Sequence, residues 1–317
     1  MGKDETKNTK KIRLGSVTIE SERRDKVFFP DSGITKAELV DYYHMIADVM
    51  LPHVRDRAVS MHRFPDGIEE EGFFHKDAPD YFPGWVTTET LENRQRGSTT
   101  YVVIDKTATL VYLADQGTIT PHVWLSRINR PERPDRLIFD LDPPDDEFGP
   151  TRSAARVIRE TLEDVDVASF VMTTGSRGLH VVVPLDRDSD FEEARAFAAD
   201  VAELAALRHP DELTVEQRKK KRKGRLFLDV MRNAYGQTGV PPYSVRARPG
   251  APVAAPIEWD ELGSADMRSN RYNIRSIFRR LGQRDDPWKG IGRHAVGLNE
   301  KSKKLQSLLE EERGSGE

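Results

Sequence analysis

The chain has 317 residues, of which 32% are charged and 37% apolar, enough for one large domain or two smaller ones with a heavily charged surface. No apolar run approaches the roughly 18 residues of a membrane span, the start from Met1 lacks the apolar core of a signal peptide, and the lack of cysteine excludes disulfides, zinc–thiolate sites, iron–sulfur clusters and thiol nucleophiles. The net charge of −4 hides local concentrations: Arg218 to Arg225 is strongly basic, arginines recur at Arg246, Arg248, Arg268, Arg271, Arg275, Arg279 and Arg280, and acids gather at Glu69–Glu71 and from Asp142 to Glu147.

In chain order, a polar tail over residues 1–11 precedes a strand-like alternation from Ile12 to Ile19. Lys26–Pro30 leads into a turn, and Thr35-Lys-Ala-Glu38 is a capping box. The helix it opens places Leu39, Tyr43, Ile46, Ala47 and Met50 on one face and is expected to stop before Pro52. Val59–Phe64 and Gly72–Lys76 read as strands joined through Pro65-Asp-Gly67, and Gly84–Leu91 reads as irregular. Tyr101–Asp105 is strand-like, whereas Thr109–Leu113 fits a strand or a helix start equally. Ile119–Ser126 is strand-like and carries His122 and Trp124. A helix is predicted over Pro150–Leu162, a hairpin over Phe170–Pro184, a helix over Asp190–Leu207, a strand over Arg225–Val230, loop over Gly236–Pro256 and an amphipathic helix over Asn270–Leu281. Strands outnumber tidy βαβ units, which favours an α+β, mixed-sheet body over a doubly wound parallel sheet.

The stretch with most chemical content is Arg136-Leu-Ile-Phe-Asp-Leu-Asp-Pro143, a strand by its alternation. Leu137, Phe139 and Leu141 then face one way and Ile138, Asp140 and Asp142 the other. Two carboxylates two residues apart, roughly 7 Å at the backbone, raise each other's pKa unless a cation lies between them. Such a pair suits hard divalent ions such as Mg²⁺ or Mn²⁺, although a solvated strand end before a Pro-Pro turn fits the segment as well. Leu226-Phe-Leu-Asp229 echoes the pattern and supplies a third carboxylate, Asp229, on an apolar strand. Three carboxylates with two metal ions activate a hydroxyl and stabilise a phosphoryl leaving group.

Thr173-Thr-Gly-Ser-Arg-Gly-Leu-His180 offers backbone N–H groups between two glycines, with Ser176, Arg177 and His180 beside them. An ordinary hairpin turn fits it too, and neither a P-loop nor a dinucleotide-binding glycine pattern is present. Arg246 and Arg248 face the same way in an extended segment, as phosphate-binding forks do. Phe73-Phe74, ahead of His75 and Lys76, would stack on a base if exposed, although core packing is the commoner fate of such a pair. His122 reads equally as a core histidine.

Taken together, Asp140-Leu-Asp-Pro143, Thr174-Gly-Ser-Arg-Gly-Leu-His180 and Phe227-Leu-Asp229 resemble the three catalytic motifs of archaeo-eukaryotic primases. More closely, the chain is similar to the polymerase domain of bacterial ligase D, the primase-polymerase of non-homologous end joining. His75-Lys-Asp-Ala-Pro79, Ile119-Thr-Pro-His-Val-Trp-Leu125, Gly236-Gln-Thr238 and Pro241 to Pro252 fit that family as well, so the likeness runs from about Ile12 to the end of the arginine-rich segment.

The resemblance implies a primase-polymerase fold with central mixed or antiparallel sheets flanked by helices, spanning residues 12–295 as one catalytic domain, with a charged tail over 296–317. It makes Asp140, Asp142 and Asp229 ligands of two Mn²⁺ or Mg²⁺ ions. Ser176, Arg177 and His180 would hold the incoming nucleotide, with His122, Arg246 and Arg248 around its phosphates and sugar, and Phe73, Phe74 and Lys76 at the bases. Lys26, Lys36 and Arg63 would meet a DNA 5′-phosphate, and Arg222 the template or primer. His62 departs from the family, whose members often carry Lys or Arg there. A preference for ribonucleotides is implied, read through the 2′-OH. The expected partners are gapped or 3′-overhang DNA with a 5′-phosphate, NTP or dNTP, a Ku-like end-binding protein and a separate ligase, since no K-x-D-G ligase motif is present. A cytoplasmic, nucleoid-associated location follows, without a membrane. The same acids would also serve a metal-dependent nuclease, and the basic groups alone a non-catalytic DNA-end binding module.

Overall fold

The structure, a computed structural model, describes residues 9–93, 97–143 and 147–315. The chain opens with the hairpin β1 (Lys10–Leu14) and β2 (Val17–Ser21), then the short pair β3 (Val27–Phe29) and β4 (Ile34–Thr35), and α1 (Lys36–Val54). Next come β5 (Arg57–Arg63), β6 (Phe73–His75), β7 (Thr88–Asn93), β8 (Gly97–Ile104), α2 (Thr107–Asp115) and β9 (Thr118–Trp124). The second half holds β10 (Arg136–Leu141), α3 (Phe148–Glu163), β11 (Phe170–Thr173), β12 (Leu179–Pro184), α4 (Phe191–Arg208), β13 (Leu213–Thr214) and β14 (Leu226–Asp229). It closes with β15 (Thr238–Gly239), β16 (Ala255–Ile257), α5 (Ile277–Leu281) and α6 (Asn299–Ser315).

Two sheets carry the molecule. One has the order β13-β14-β10-β12-β11-β16, and all its pairings are antiparallel except β13 with β14. The other runs β15-β9-β5-β8-β7, with β6 also paired to β5. The mixed-sheet α+β expectation therefore holds.

Strand alternation explains the layering. Leu137, Phe139 and Leu141 of β10 are buried in the core that includes Ile158 of α3, Phe197 and Val201 of α4 and Leu305 and Leu309 of α6. On the other face Ile138 joins Met172 and Val182 in a smaller cluster with Leu125, Val240 and Trp288, where the two sheets meet. A third core lies under the second sheet, with Ile46, Met50 and Leu110 from α1 and α2.

Local signals account for several elements. Thr35 caps α1, its hydroxyl accepting from the Glu38 N–H while the Glu38 carboxylate accepts from the Thr35 N–H. Asp190 does the same for α4 with Glu193.

Elsewhere tertiary contacts overrule the pattern. The stretch from Ile12 to Ile19 is a hairpin rather than one strand, because Gly15 takes φ +61° at the turn. α1 continues through Pro52 to Val54, its last turn closed by Arg55 N–H donating to the Leu51 carbonyl. The irregular region expected at Gly84–Leu91 includes the start of β7, which pairs with β8. Thr109–Leu113 lies within a helix. The helix expected over Asn270–Leu281 is reduced to Ile277–Leu281, since the Asn273 side chain accepts from the N–H groups of Arg275 and Ser276 and locks a turn. Residues 299–315, in the charged tail that the sequence reads as helical in part, do form a helix, and it buries Leu305 and Leu309. The Pro-Pro turn after Asp142, from its second proline on, and most of the tail expected over residues 1–11 lie outside the described residues. Among the described residues, no helix is long and apolar enough to cross a membrane.

Candidate active site

The site forms at the carboxyl end of β10. Asp140 lies directly opposite Asp229 of β14 on one side and His180 of β12 on the other. Directly opposed residues share a face with Cβ atoms roughly 4.5–5.5 Å apart, so three neighbouring strands present Asp229, Asp140 and His180 in one row. Asp142 falls one residue past the end of β10. It lies over Gly178: a Cβ built there would stand 2.7 Å from the Asp142 carboxylate and closer still to the Leu141 carbonyl. Position 178 therefore admits no side chain while the acids keep this place.

Asp140 is 8% exposed. One of its oxygens is 3.4 Å from His180 Nε2, and the other accepts from Arg232 Nε at 3.1 Å. Burial pushes the Asp140 carboxyl up, but His180 and Arg232 outweigh it and hold the group well below the usual carboxylate range. Asp142 goes the other way: burial and then the charge of Asp140 push it up, against weaker pulls from Arg177, His180 and Arg232. Asp229 accepts from the Met231 N–H at 2.8 Å. Among the described residues, no three acidic or histidine side chains converge as a ready-made metal cluster; Asp140 instead contacts His180 and Arg232.

The loop between β11 and β12 borders the acids. Thr174 Oγ1 accepts from the N–H groups of Ser176 and Gly178, and Ser269 Oγ donates to the Gly178 carbonyl at 2.7 Å. Gly175, at φ +66°, leaves no space for a side chain against Val253 and Arg246. Arg246 donates to the Thr174 carbonyl at 2.7 Å. Burial and the nearby Arg248 lower its pKa to about 10, opposed by Asp140 and Asp142. Ser176 is half-buried, while Arg177 and Arg248 are exposed.

Across the cleft, His122 on β9 and His62 on β5 stand near Phe74. The His62 and Phe74 rings stack at 4.2 Å with 4° between planes, so the departure at His62 yields an aromatic shelf. Phe73 and Phe74 are 46% and 57% exposed, and the core-packing reading of this pair fails. Burial, followed by the positive charge of Arg246, keeps His122 well below its ordinary pKa and so neutral near pH 7. A cavity of about 440 Å³ is lined by His62, Thr120, Arg246 and Arg248.

The other expected residues gather in two places. Lys26, Lys36 and Arg63 line one cavity of about 290 Å³, although they come from three separate segments. Lys26 pairs with Asp66, and Lys36 pairs with Asp115 at 2.8 Å. Arg63 donates to the Gln116 carbonyl and lies over the Phe73 ring, linking this cavity to β6, just past which Lys76 is exposed. Arg222 stacks on Phe227 at 4.1 Å, two residues before Asp229, with its guanidinium also held by the carbonyls of Glu216 and Gln217.

Three contributors escape sequence reasoning. Arg232 touches Asp140, and its only signal is a basic residue three positions after Asp229. Ser269 supports the loop from 91 residues away. Asn233 both donates to the Ile138 carbonyl and accepts from its N–H, so one side chain takes over where the β14 pairing stops.

Comparison with known proteins identifies the family. The family model described as "LigD, primase-polymerase domain" matches residues 35–288. The chain is 35% identical over 268 residues to the multifunctional non-homologous end joining protein LigD of Mycolicibacterium smegmatis, covering 83% of this chain and 34% of that protein. It is 31% identical over 266 residues to the bifunctional non-homologous end joining protein LigD of Bacillus subtilis, covering 83% and 42%. It thus spans from about a third to two fifths of the length of these curated relatives. The polymerase domain from Mycobacterium tuberculosis Ligase D in complex with DNA superposes with a TM-score of 0.81 at 32% identity, covering 88% of this chain and 99% of that one. The chain belongs to the LigD primase-polymerase domain family and is, with it, a nucleotidyltransferase.

Proposed function

We propose that the chain adds nucleotides, NTPs in preference to dNTPs, to a primer 3′-hydroxyl at gaps and broken DNA ends during non-homologous end joining. The observation that carries this reading is the row Asp229–Asp140–His180 with Asp142 beside it, facing a loop backed by Arg246. The donor set fits divalent ions: hard carboxylate oxygens, with the Asp142 carboxyl pushed up by burial and then by the charge of Asp140. Asp140, Asp142 and Asp229 would hold two Mn²⁺ or Mg²⁺ ions, which lower the pKa of an attacking hydroxyl and neutralise a pyrophosphate leaving group.

The chain's own groups do the rest. Ser176 and Arg177 meet the triphosphate, together with Arg246 and Arg248 as forked donors. His180 keeps Asp140 ionised and oriented from the adjacent strand. Neutral His122 is placed to exchange hydrogen bonds with the sugar, the group that distinguishes NTP from dNTP. Phe73 and Phe74 are exposed platforms for bases, where stacking contributes roughly 1–3 kcal/mol per base. Lys26, Lys36 and Arg63 receive the 5′-phosphate, which replaces Asp66 as the partner of Lys26 and Asp115 as that of Lys36, and Arg222 lies toward the template. In this reading the chain works in the cytoplasm at the nucleoid, with a DNA ligase and a Ku-like end-binding protein.

The test is extension of a gapped duplex carrying a 5′-phosphate, with Mn²⁺ and either NTP or dNTP. Wild type should extend the primer, more with NTP, and bind the 5′-hydroxyl version less tightly. D140A and D229A should bind the duplex yet lose at least about 10³-fold in rate, as when one member of a cooperating unit is removed. Extension by either variant at a rate near that of wild type, or shortening of the primer by wild type, would refute the assignment.

A further inference from the structure

The arginines after residue 267 are unused by the site just described. Six fall within the segment from Arg268 to Arg284. Arg275 pairs with Glu38 at 2.8 Å, and Arg280, 6% exposed, pairs with Glu261 at 2.5 Å while lying over the Tyr272 ring. Arg271, Arg279 and Arg284 are exposed and, among the described residues, have no ion-pair partner. These three nevertheless line one cavity of about 250 Å³ together with Arg280. The buried Nε of Arg280 has no hydrogen-bond partner. Glu261 is the cavity's acid, and its carboxylate already accepts from Arg280 and from the Glu258 N–H.

Three uncompensated guanidiniums and one orphaned N–H around a small cavity repel one another, and a phosphate matches their fork geometry. The segment is also tied to the active site. Ser269 donates to the Gly178 carbonyl and accepts from the Gly175 N–H, and Tyr272 accepts from Val253 N–H just before edge strand β16. Ser269 and Tyr272 thus join the arginine segment to the loop that borders the acids. We infer that the Arg271–Arg279–Arg284 cavity binds a backbone phosphate of the nucleic acid whose end lies at Asp140, a contact separate from the Lys26–Lys36–Arg63 cavity. The identity of the polyanion rests on the function proposed above.

The experiment compares wild type with R271A/R279A/R284A, by fluorescence anisotropy of a labelled gapped duplex between about 50 and 200 mM salt, the range over which phosphate neutralisation is read. The triple variant should bind at least about tenfold more weakly at low salt, with the slope of log K against log [salt] reduced by about 0.9, the change for one phosphate left without its arginines. Its thermal midpoint, its kcat at saturating duplex and its KM for NTP should match wild type. An unchanged slope in the folded variant overturns the inference, as does an equal fall in a K301A/K303A/K304A control, which would reduce the effect to net charge. Pyrophosphate titrated alone separates the sources: if it stabilises wild type but not the triple variant while duplex binding is unaltered, the cavity takes small anions and the nucleic-acid assignment fails. Absence of primer extension by wild type would instead refute the proposed function and leave the anisotropy result readable.

Discussion

The two ends of β10 are both charged and each has one buried ion, Arg57 beside the first and Asp140 in the second, yet they behave oppositely. At the amino end, Asp135 accepts from Arg57 on both oxygens at 2.6 Å and from Arg127 at 3.0 Å, with Arg136 at 3.4 Å. Burial pushes Asp135 up, but Arg57 and Arg136 hold it well below the usual carboxylate range. At the carboxyl end, His180 and Arg232 hold Asp140 low, while burial and the charge of Asp140 push Asp142 up against weaker pulls from Arg177, His180 and Arg232. The first end is internally compensated and serves the fold. The second is under-compensated, which is what a site awaiting cations or phosphates looks like. Burial of charge alone does not mark a functional site; incomplete compensation does.

The largest expected effect tests the compensated end. Asp135→Ala leaves Arg57, fully buried, without its carboxylate and should destabilise the protein by about 3–5 kcal/mol in urea unfolding, with kcat of the folded fraction unchanged. A loss of turnover at wild-type stability would erase the contrast. Next, Gly178→Ala forces a methyl against the Leu141 carbonyl and Asp142. It should lower kcat by about 10²-fold, the effect of misplacing reacting groups by about 1 Å, with a much smaller change in unfolding midpoint.

The pH dependence separates the ends further. Because the Asp135 pKa is depressed in the fold, its contribution is fully present above the unfolded value of about 3.9 and is lost as pH falls through the lower folded value. Wild type should therefore lose stability steeply on acidification, and Asp135→Asn should show a flatter acid limb in thermal unfolding. Asp142 has the opposite sign: its raised pKa favours the fold below the unfolded value, and that advantage is gone once pH rises past the folded one. At pH 7 without divalent ions, Asp142→Asn should give a small rise in thermal midpoint. Added Mn²⁺ should raise the midpoint of wild type more than that of the variant, and equal responses would remove Asp142 from the ion-binding set.

What the sequence determined by itself is whatever depends on neighbours a few residues apart. Alternation along 136–142 puts Asp140 on the face opposite the core, and Thr35/Glu38 and Asp190/Glu193 cap their helices through bonds three residues long. The motifs placed the acids, the 174–180 loop and the arginine pair in one family pattern. Only the tertiary structure decided which distant groups meet. Asp140 faces Asp229 because β14 pairs antiparallel beside β10. Arg232 and Ser269 reach the acids and the loop through chain reversals that no periodicity encodes. Lys26, Lys36 and Arg63 share a cavity across 37 residues of sequence. The arginine segment looked like an amphipathic helix, but the Asn273 turn and the bridge from Asn273 to Pro252 outweigh its periodicity and leave its guanidiniums around a cavity. Short-range hydrogen bonds and strand alternation are written locally, whereas charge compensation is a property of the assembled surface. That is why Asp135, Asp140 and Asp142 could be read as acids from the sequence, but only the fold showed which of them is short of a cation.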